Sequence, residues 1–114
     1  MIKIYGINNC TTVKKALAWL EENNISHDFH DYKKEGVDLP VLKKVIAEKG
    51  WEKAINRASM SWRKIPEDVR ERMDVETAIQ CAIENNSLIK RPLVVNGDDI
   101  LLGFNEKRYA EKFL

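Results

Sequence analysis

The hydrophobic pattern of this 114-residue chain changes period twice, and those two changes restrict its fold more than any other feature. Residues 2–5, IKIY, alternate apolar and polar as a half-buried strand does, and Gly6 with Asn8-Asn9 ends the run. From Thr11 the apolar residues Val13, Ala16, Leu17 and Leu20 recur at helical spacing, with Lys14, Lys15, Glu21 and Glu22 elsewhere around the wheel. Past Asn23-Asn24, ISHDFHDY alternates again, with Ile25, His27 and Phe29 set against Ser26, Asp28 and His30. Strand, helix and strand within about thirty residues make a βαβ unit, and its two strands are expected to run parallel.

The middle of the chain has a different character. Nothing between residues 38 and 86 has the period of a strand. Asp38 can cap a helix carrying Leu42, Val45 and Ile46, which Gly50 closes. A shorter helical piece is expected near residues 52–57, and Pro66 opens another. Asp74 caps a fourth helix, with Val75, Ala78, Ile79, Ala82 and Ile83 on its core face. Strands return in RPLVVNGDDILLGF, where two apolar runs flank Asn-Gly and two aspartates, a hairpin signal. Asn105 then caps a last helix that buries Tyr109, Ala110 and Phe113.

The order is therefore βαβ, helical block, ββα. The two outer parts can share one four-stranded mixed sheet covered by helices, which is the α/β thioredoxin-like fold. The expected division is a core of residues 1–34 and 88–114 carrying an all-helical insertion at 35–87, within a single domain. In that fold the loop after the first strand, GINNC, and the loop before the third, IKRP, meet at one edge. Cys10 and Pro92, far apart in sequence, become neighbours.

Composition closes off several function classes. Apolar residues make up 44% and charged residues 32%, enough to build a core without disulfides or a structural metal. A formal net charge of +1 gives no reason to expect nucleic acid or an anionic membrane as partner. No apolar run approaches a membrane span, and the first residues lack the features of a signal peptide, so a cytoplasmic protein is expected. It is also expected to be a monomer. The two cysteines, Cys10 and Cys81, form no C-x-x-C, and His27 and His30 do not bring the set to the roughly four ligands of a structural zinc. No metal is expected. In a reducing compartment no permanent disulfide is expected either.

Cys10 holds the best chemical clue. A cysteine at or just before the first helical turn faces unpaired backbone N–H groups and the positive end of the helix dipole, and both favour the thiolate. Lys14, one turn along, can add positive charge or point into solvent. Such sites lower a cysteine pKa from about 8.5 into a range of about 3.5 to 7.5. A fall from about 8.5 to about 6.5 raises the ionised fraction at pH 7 roughly 25-fold. The accompanying loss of nucleophilicity is roughly 6- to 10-fold, so attack gains only a few-fold. The larger benefit is that the sulfur becomes a good leaving group, which suits thiol–disulfide exchange.

The neighbouring candidates each have two readings. Pro92 either begins a strand, where its missing N–H is harmless, or follows a cis bond that turns the preceding backbone outward to pair with a peptide. Arg91 is the natural contact for a carboxylate or oxyanion, or a solvated charge flanking a strand. Arg57 and Arg63 in the helical block are candidates for the same pocket or ordinary surface charge. Cys81 reads as a small residue beside the apolar stripe of its helix rather than a resolving thiol. His27 and His30 read as structural or surface residues, and Trp19, Trp51 and Trp62 as packing residues rather than a stacking platform.

These residues carry a resemblance. Through YGINNCTTVKKALAWL, HDFHDYKKEGVDL, NRASMSWRK, IKRPLVV and LLGF, the chain resembles, end to end, the arsenate reductase (ArsC)/Spx/YffB family of thioredoxin-like proteins, and is closest to its YffB branch. The resemblance implies a glutathione-dependent thiol reductase with Cys10 as nucleophile, a cis bond before Pro92, and glutathione as co-substrate with no bound cofactor. Asn9, Thr11, Lys14, Arg57, Arg91 and Pro92 are the residues expected to contact glutathione or substrate. The alternatives it carries are arsenate reduction coupled to glutathione and glutaredoxin, and an Spx-like regulator that binds RNA polymerase without catalysis. The chain departs from both patterns. Arsenate reductases have a histidine where this chain has Gly6 and an arginine in the last hairpin where it reads LLGF, and the C-x-x-C of Spx proteins is broken by Val13.

Overall fold

In the computed structural model, which describes every residue from Met1 to Leu114, the four expected strands form one mixed sheet. β1 (Ile2–Gly6), β2 (His27–Asp31), β3 (Leu93–Asn96) and β4 (Asp99–Leu102) lie in the order β2-β1-β3-β4. β1 and β2 run parallel, from Ile2 opposite His27 to Gly6 opposite Asp31. β1 and β3 run antiparallel with Tyr5 opposite Leu93, and β3 and β4 form the antiparallel hairpin. The helices are α1 (Thr11–Glu22), α2 (Tyr32–Glu35), α3 (Leu39–Lys49), α4 (Trp51–Ala54), α5 (Met60–Arg63), α6 (Glu67–Glu71), α7 (Val75–Glu84) and α8 (Glu106–Phe113), with a 3-10 turn at Asn86–Leu88. The single turns α2 and α5 are too short to impose a hydrophobic period on the sequence, and neither was expected.

The chain divides into two compact units, Met1–Glu35 with Arg91–Leu114, and Gly36–Lys90. The return to the sheet comes at Arg91 rather than at residue 88. Ile89 makes an isolated antiparallel bridge with Ile55, and the Lys90 N–H donates to the Ala54 carbonyl at 2.8 Å, so residues 89–90 belong with the helices.

In the sheet unit, Ile2, Ile4, Ala16, Trp19, Leu20, Val94, Leu101 and Tyr109 form one buried cluster. Fully burying a large apolar side chain contributes about 1.5–3 kcal/mol, so this cluster is the main stabilising feature of the unit. Tyr109, only 1% exposed, meets Trp19, Phe104 and Phe113 edge to face, and its hydroxyl donates to the Gly103 carbonyl at 2.7 Å. Asn105 caps α8 by accepting from the Arg108 N–H at 2.9 Å. The hairpin turns one residue later than the Asn-Gly signal suggests. Asn96 pairs with Asp99, and Gly97 (φ 61°) with Asp98 makes the two-residue loop.

In the helical unit, Asp38 and Asp74 cap as expected, accepting from the Val41 N–H at 3.3 Å and the Thr77 N–H at 2.8 Å. Gly50, at φ 87°, ends α3. The core face of α7 differs from expectation. Ala78 and Ala82 are buried, whereas Val75 and Ile83 are 48% and 46% exposed. The buried stripe is centred on the two alanines. Ile83 lies about 100° round the helix from Ala82, and Val75 is the first residue of the helix. No helix of the structure is long and apolar enough to cross a membrane, and no three His, Cys, Asp or Glu side chains gather where they could hold a metal ion.

Candidate active site

The antiparallel pairing of β1 with β3 places the C-terminal end of one beside the N-terminal end of the other, with Tyr5 opposite Leu93. The loop leaving β1 and the Arg91-Pro92 pair entering β3 therefore share one edge of the sheet unit. The β1 loop is a tight turn. The buried Ile7 anchors it, the Cys10 N–H donates to the Ile7 carbonyl at 3.1 Å, and Asn8 and Asn9 form the exposed tip. Cys10 is the N-cap of α1, with extended backbone (φ −88°, ψ 125°), and its carbonyl accepts the first helical bond from the Lys14 N–H at 3.0 Å. The Arg91-Pro92 peptide bond is cis, as the family resemblance implies. Pro92 is buried, and its carbonyl accepts from the Gly103 N–H at 2.8 Å, which ties this loop to the end of β4.

Cys10 is partly exposed. As a neutral thiol, a weak acceptor, it makes no side-chain capping bond. As an anion it has several partners. Burial pushes its pKa up and is the largest single influence. The Val13 N–H, a hydrogen bond from the Arg91 side chain, the Thr12 N–H and the Arg91 charge together outweigh it, so the thiol lies below its ordinary value. Those two N–H groups belong to the second and third residues after the cap, the places from which an N-cap side chain ordinarily accepts. Reading Cys10 as N-cap identifies them. A place at the helix mouth alone does not single out Thr12 and Val13; the N-cap position of Cys10 does.

Around this sulfur Asn9, Thr11 and Lys14 are all exposed. Lys14 is not among the groups that lower the thiol, a task that falls to Arg91 and the helix N-terminus. Arg57 lies in the helical unit, exposed, with its guanidinium carbon 5.7 Å from the centroid of the Trp51 ring. Trp51 in turn stacks on Trp62 at 6.1 Å and 24°. Two tryptophans expected only to pack thus form a stack with an arginine on it, while Trp19 is a core residue as expected. Arg63 is exposed, with Nη1 3.8 Å from the Met60 sulfur.

Cys81, on α7, has its pKa raised by burial and by the Glu84 carboxylate, the opposite of Cys10. It lines a cavity of about 370 Å³ within the helical unit, together with Ile65, Val69 and Leu88. His27 Nδ1 lies 2.8 Å from the Ile25 carbonyl, and the His30 ring lies against Tyr5 and Tyr32 at 4.9 and 5.8 Å.

Two of the three departures from the wider family pattern, Gly6 and Val13, lie against each other. A Cβ at position 6 would lie 2.7 Å from Val13 Cγ2, because the Val13 side chain, fully buried, fills the space a larger residue would need.

The ArsC family model matches residues 5–112. An uncharacterized protein of Haemophilus influenzae is 45% identical over 113 residues, covering 99% of both chains. The solved structure of the YFFB (PA3664) protein has a TM-score of 0.93 at 40% identity and covers 97% of both chains. The global transcriptional regulator Spx of Enterococcus faecalis is 29% identical over 108 residues, 93% of this chain and 81% of that one. A glutaredoxin of Archaeoglobus fulgidus, at 20% identity and a TM-score of 0.53 over 96% of this chain and 82% of that one, places the fold in the thioredoxin-like class.

Proposed function

Because the chain belongs to the ArsC family, we propose that it is a glutathione-dependent thiol reductase with Cys10 as its nucleophile. One observation carries this reading: a partly exposed thiol at a helix N-cap, held below its ordinary pKa by two backbone N–H groups and Arg91. The Cys10 thiolate attacks the glutathione sulfur of a glutathionylated thiol. A Cys10–glutathione disulfide forms, the old disulfide breaks, and the released thiolate takes a proton from water. A second glutathione thiolate then attacks the glutathione sulfur of that mixed disulfide. Cys10 leaves as thiolate, and glutathione disulfide is the oxidised product. The groups that lower the Cys10 pKa act in both steps, raising the anion fraction in the first and stabilising the leaving group in the second. Arg91 also offers a charged contact to the incoming peptide, whose cysteinyl backbone would pair along residues 91–92. Asn9, Thr11 and Lys14 supply polar contacts around it.

The test is to add glutathione disulfide and weigh the protein. The expected result is one glutathione attached at Cys10, removed by excess glutathione and absent in Cys10→Ser. Turnover of a glutathionylated peptide should disappear in the same variant. An intact protein mass with no adduct, or turnover that survives Cys10→Ser, contradicts the reading.

Arsenate reduction finds less support, because Val13 occupies the space a histidine at position 6 would need. Regulation of transcription has the Enterococcus faecalis similarity in its favour. Against it, position 13 is a buried valine, which leaves no second thiol for a C-x-x-C switch.

A further inference from the structure

Tyr109, on α8, is 1% exposed and is not among the groups that act on the Cys10 thiol. It nevertheless joins the two parts of the sheet unit that meet at that thiol. Its ring meets Trp19 of α1 edge to face, at 5.6 Å and 83°, and α1 is the helix whose N-terminus Cys10 caps. Its hydroxyl donates to the Gly103 carbonyl at 2.7 Å, and the Gly103 N–H donates to the Pro92 carbonyl at 2.8 Å. Pro92 follows Arg91, the residue that gives the Cys10 sulfur a hydrogen bond and a positive charge.

The bond between Gly103 and Pro92 lies one step beyond the last strand pair of the hairpin, Leu93 opposite Leu102. Strand pairing therefore stops short of the residues that carry the Arg91 side chain. At φ 83° Gly103 has a backbone conformation that other residues rarely adopt, and glycine is also the residue with the most freedom to leave it. Two hydrogen bonds, one on each peptide group flanking its α-carbon, hold it there, and Tyr109 donates one of them. Burial pushes the ionisation of Tyr109 far above the usual phenol range, so the hydroxyl remains a donor wherever a thiol titrates. Phe104, the next residue along, meets the same ring edge to face at 4.9 Å. At the far end of this chain of contacts is the bond from Arg91 to the sulfur, and a hydrogen bond weakens steeply once its geometry is disturbed.

We propose that Tyr109 is a positioning residue for the Cys10 site: through Gly103 it holds the Arg91-Pro92 loop in place beside the N-terminus of α1. The inference deepens the proposed function, resting on its assignment of Cys10 but not on glutathione. The test is Cys10 alkylation against pH in a Cys81→Ser background, for the parent, Tyr109→Phe, Arg91→Ala and the two combined. Phenylalanine keeps the ring contacts and removes the hydroxyl alone. Tyr109→Phe should move the inflection up and slow alkylation below it about two- to fivefold, within the roughly tenfold that one ordinary hydrogen bond could supply. It should add nothing where Arg91 is already alanine. Asn105→Ala, which removes the cap of α8 and leaves the hydroxyl in place, separates positioning from lost stability and should not move the inflection. Circular dichroism confirms that each variant is folded. Hydrogen exchange of the Gly103 amide, protected in the parent and faster in Tyr109→Phe, reads the link without reference to the thiol. An inflection unmoved by Tyr109→Phe, an equal shift in Asn105→Ala, an effect that adds to that of Arg91→Ala, or an unprotected Gly103 amide in the parent overturns the inference. If any of these occurs while one glutathione still attaches at Cys10, the thiol reductase reading stands alone. If Tyr109→Phe acts as expected but no glutathione adduct forms, that reading falls and this inference survives.

Discussion

Replacing Gly6, the last residue of β1, by alanine adds one methyl group against the Val13 side chain of α1. The new Cβ would lie 2.7 Å from Val13 Cγ2 and 3.4 Å from Cγ1, against about 3.5–4.0 Å for a comfortable carbon–carbon contact. Val13 cannot swing aside, because it is fully buried and a β-branched residue in a helix has one strongly preferred χ1. Overpacking of this kind costs about 1–3 kcal/mol. Val13→Ala alone removes two methyl groups at about 0.8 kcal/mol each and leaves a hole, for a total loss of about 2–3 kcal/mol. In the double variant the added methyl enters space the valine has left. The loss in the double variant should then fall short of the sum of the two single losses by about 1–3 kcal/mol. Urea unfolding followed by circular dichroism measures this, since 2 kcal/mol moves the midpoint of a domain this size by about 1 M. Additivity within about 0.5 kcal/mol would refute the argument, and with it the claim that positions 6 and 13 are one packing decision.

Other consequences are open to direct measurement. Tyr109→Phe removes the donor to the Gly103 carbonyl while keeping the ring contacts, and should cost about 1–2 kcal/mol in the same urea assay. Asn105→Ala removes the cap of α8 and should cost about 1 kcal/mol, most of it restored by Asn105→Asp. The two cysteines should separate in alkylation by iodoacetamide at neutral pH. Cys10, lowered by Val13, Thr12 and Arg91 against its own burial, reacts first, and Cys81, raised by burial and Glu84, follows only as the pH is brought up. Peptide mapping after timed alkylation reads both sites, and equal rates would contradict the contrast.

Much of the architecture is legible in the sequence because period and caps are local signals. The alternation in IKIY, the helical stripe from Val13 to Leu20 and the caps at Asp38, Asp74 and Asn105 each depend on neighbours a few residues away, and each is observed. The closeness of Cys10 to Pro92 is legible one step further, through strand order. What the sequence hides depends on packing between elements. Ser59 caps a single turn, α5, that has no period to detect. Trp51 and Trp62 stand on two short helices eleven positions apart, and nothing local says that their rings stack or that Arg57 lies on one of them. The exposed Ile83 follows the same rule, because the width of a helix's buried stripe is set by what packs against it. Position 6 is the sharpest case. Glycine there looks like a missing histidine until the Val13 side chain is seen in its place.

The central claim is that the Cys10 thiol is brought below its ordinary pKa by the N-terminus of α1 and by Arg91, in spite of the burial that opposes it. The most direct test is the rate of Cys10 alkylation against pH in a Cys81→Ser background, with and without Arg91→Ala. Removing Arg91 takes away a hydrogen bond and a charge that favour the thiolate, so the inflection must move up, toward neutral-thiol behaviour. The account predicts an inflection below the ordinary thiol value in the parent and a higher one in Arg91→Ala. An inflection at or above the ordinary value, or one that Arg91→Ala leaves in place, contradicts it.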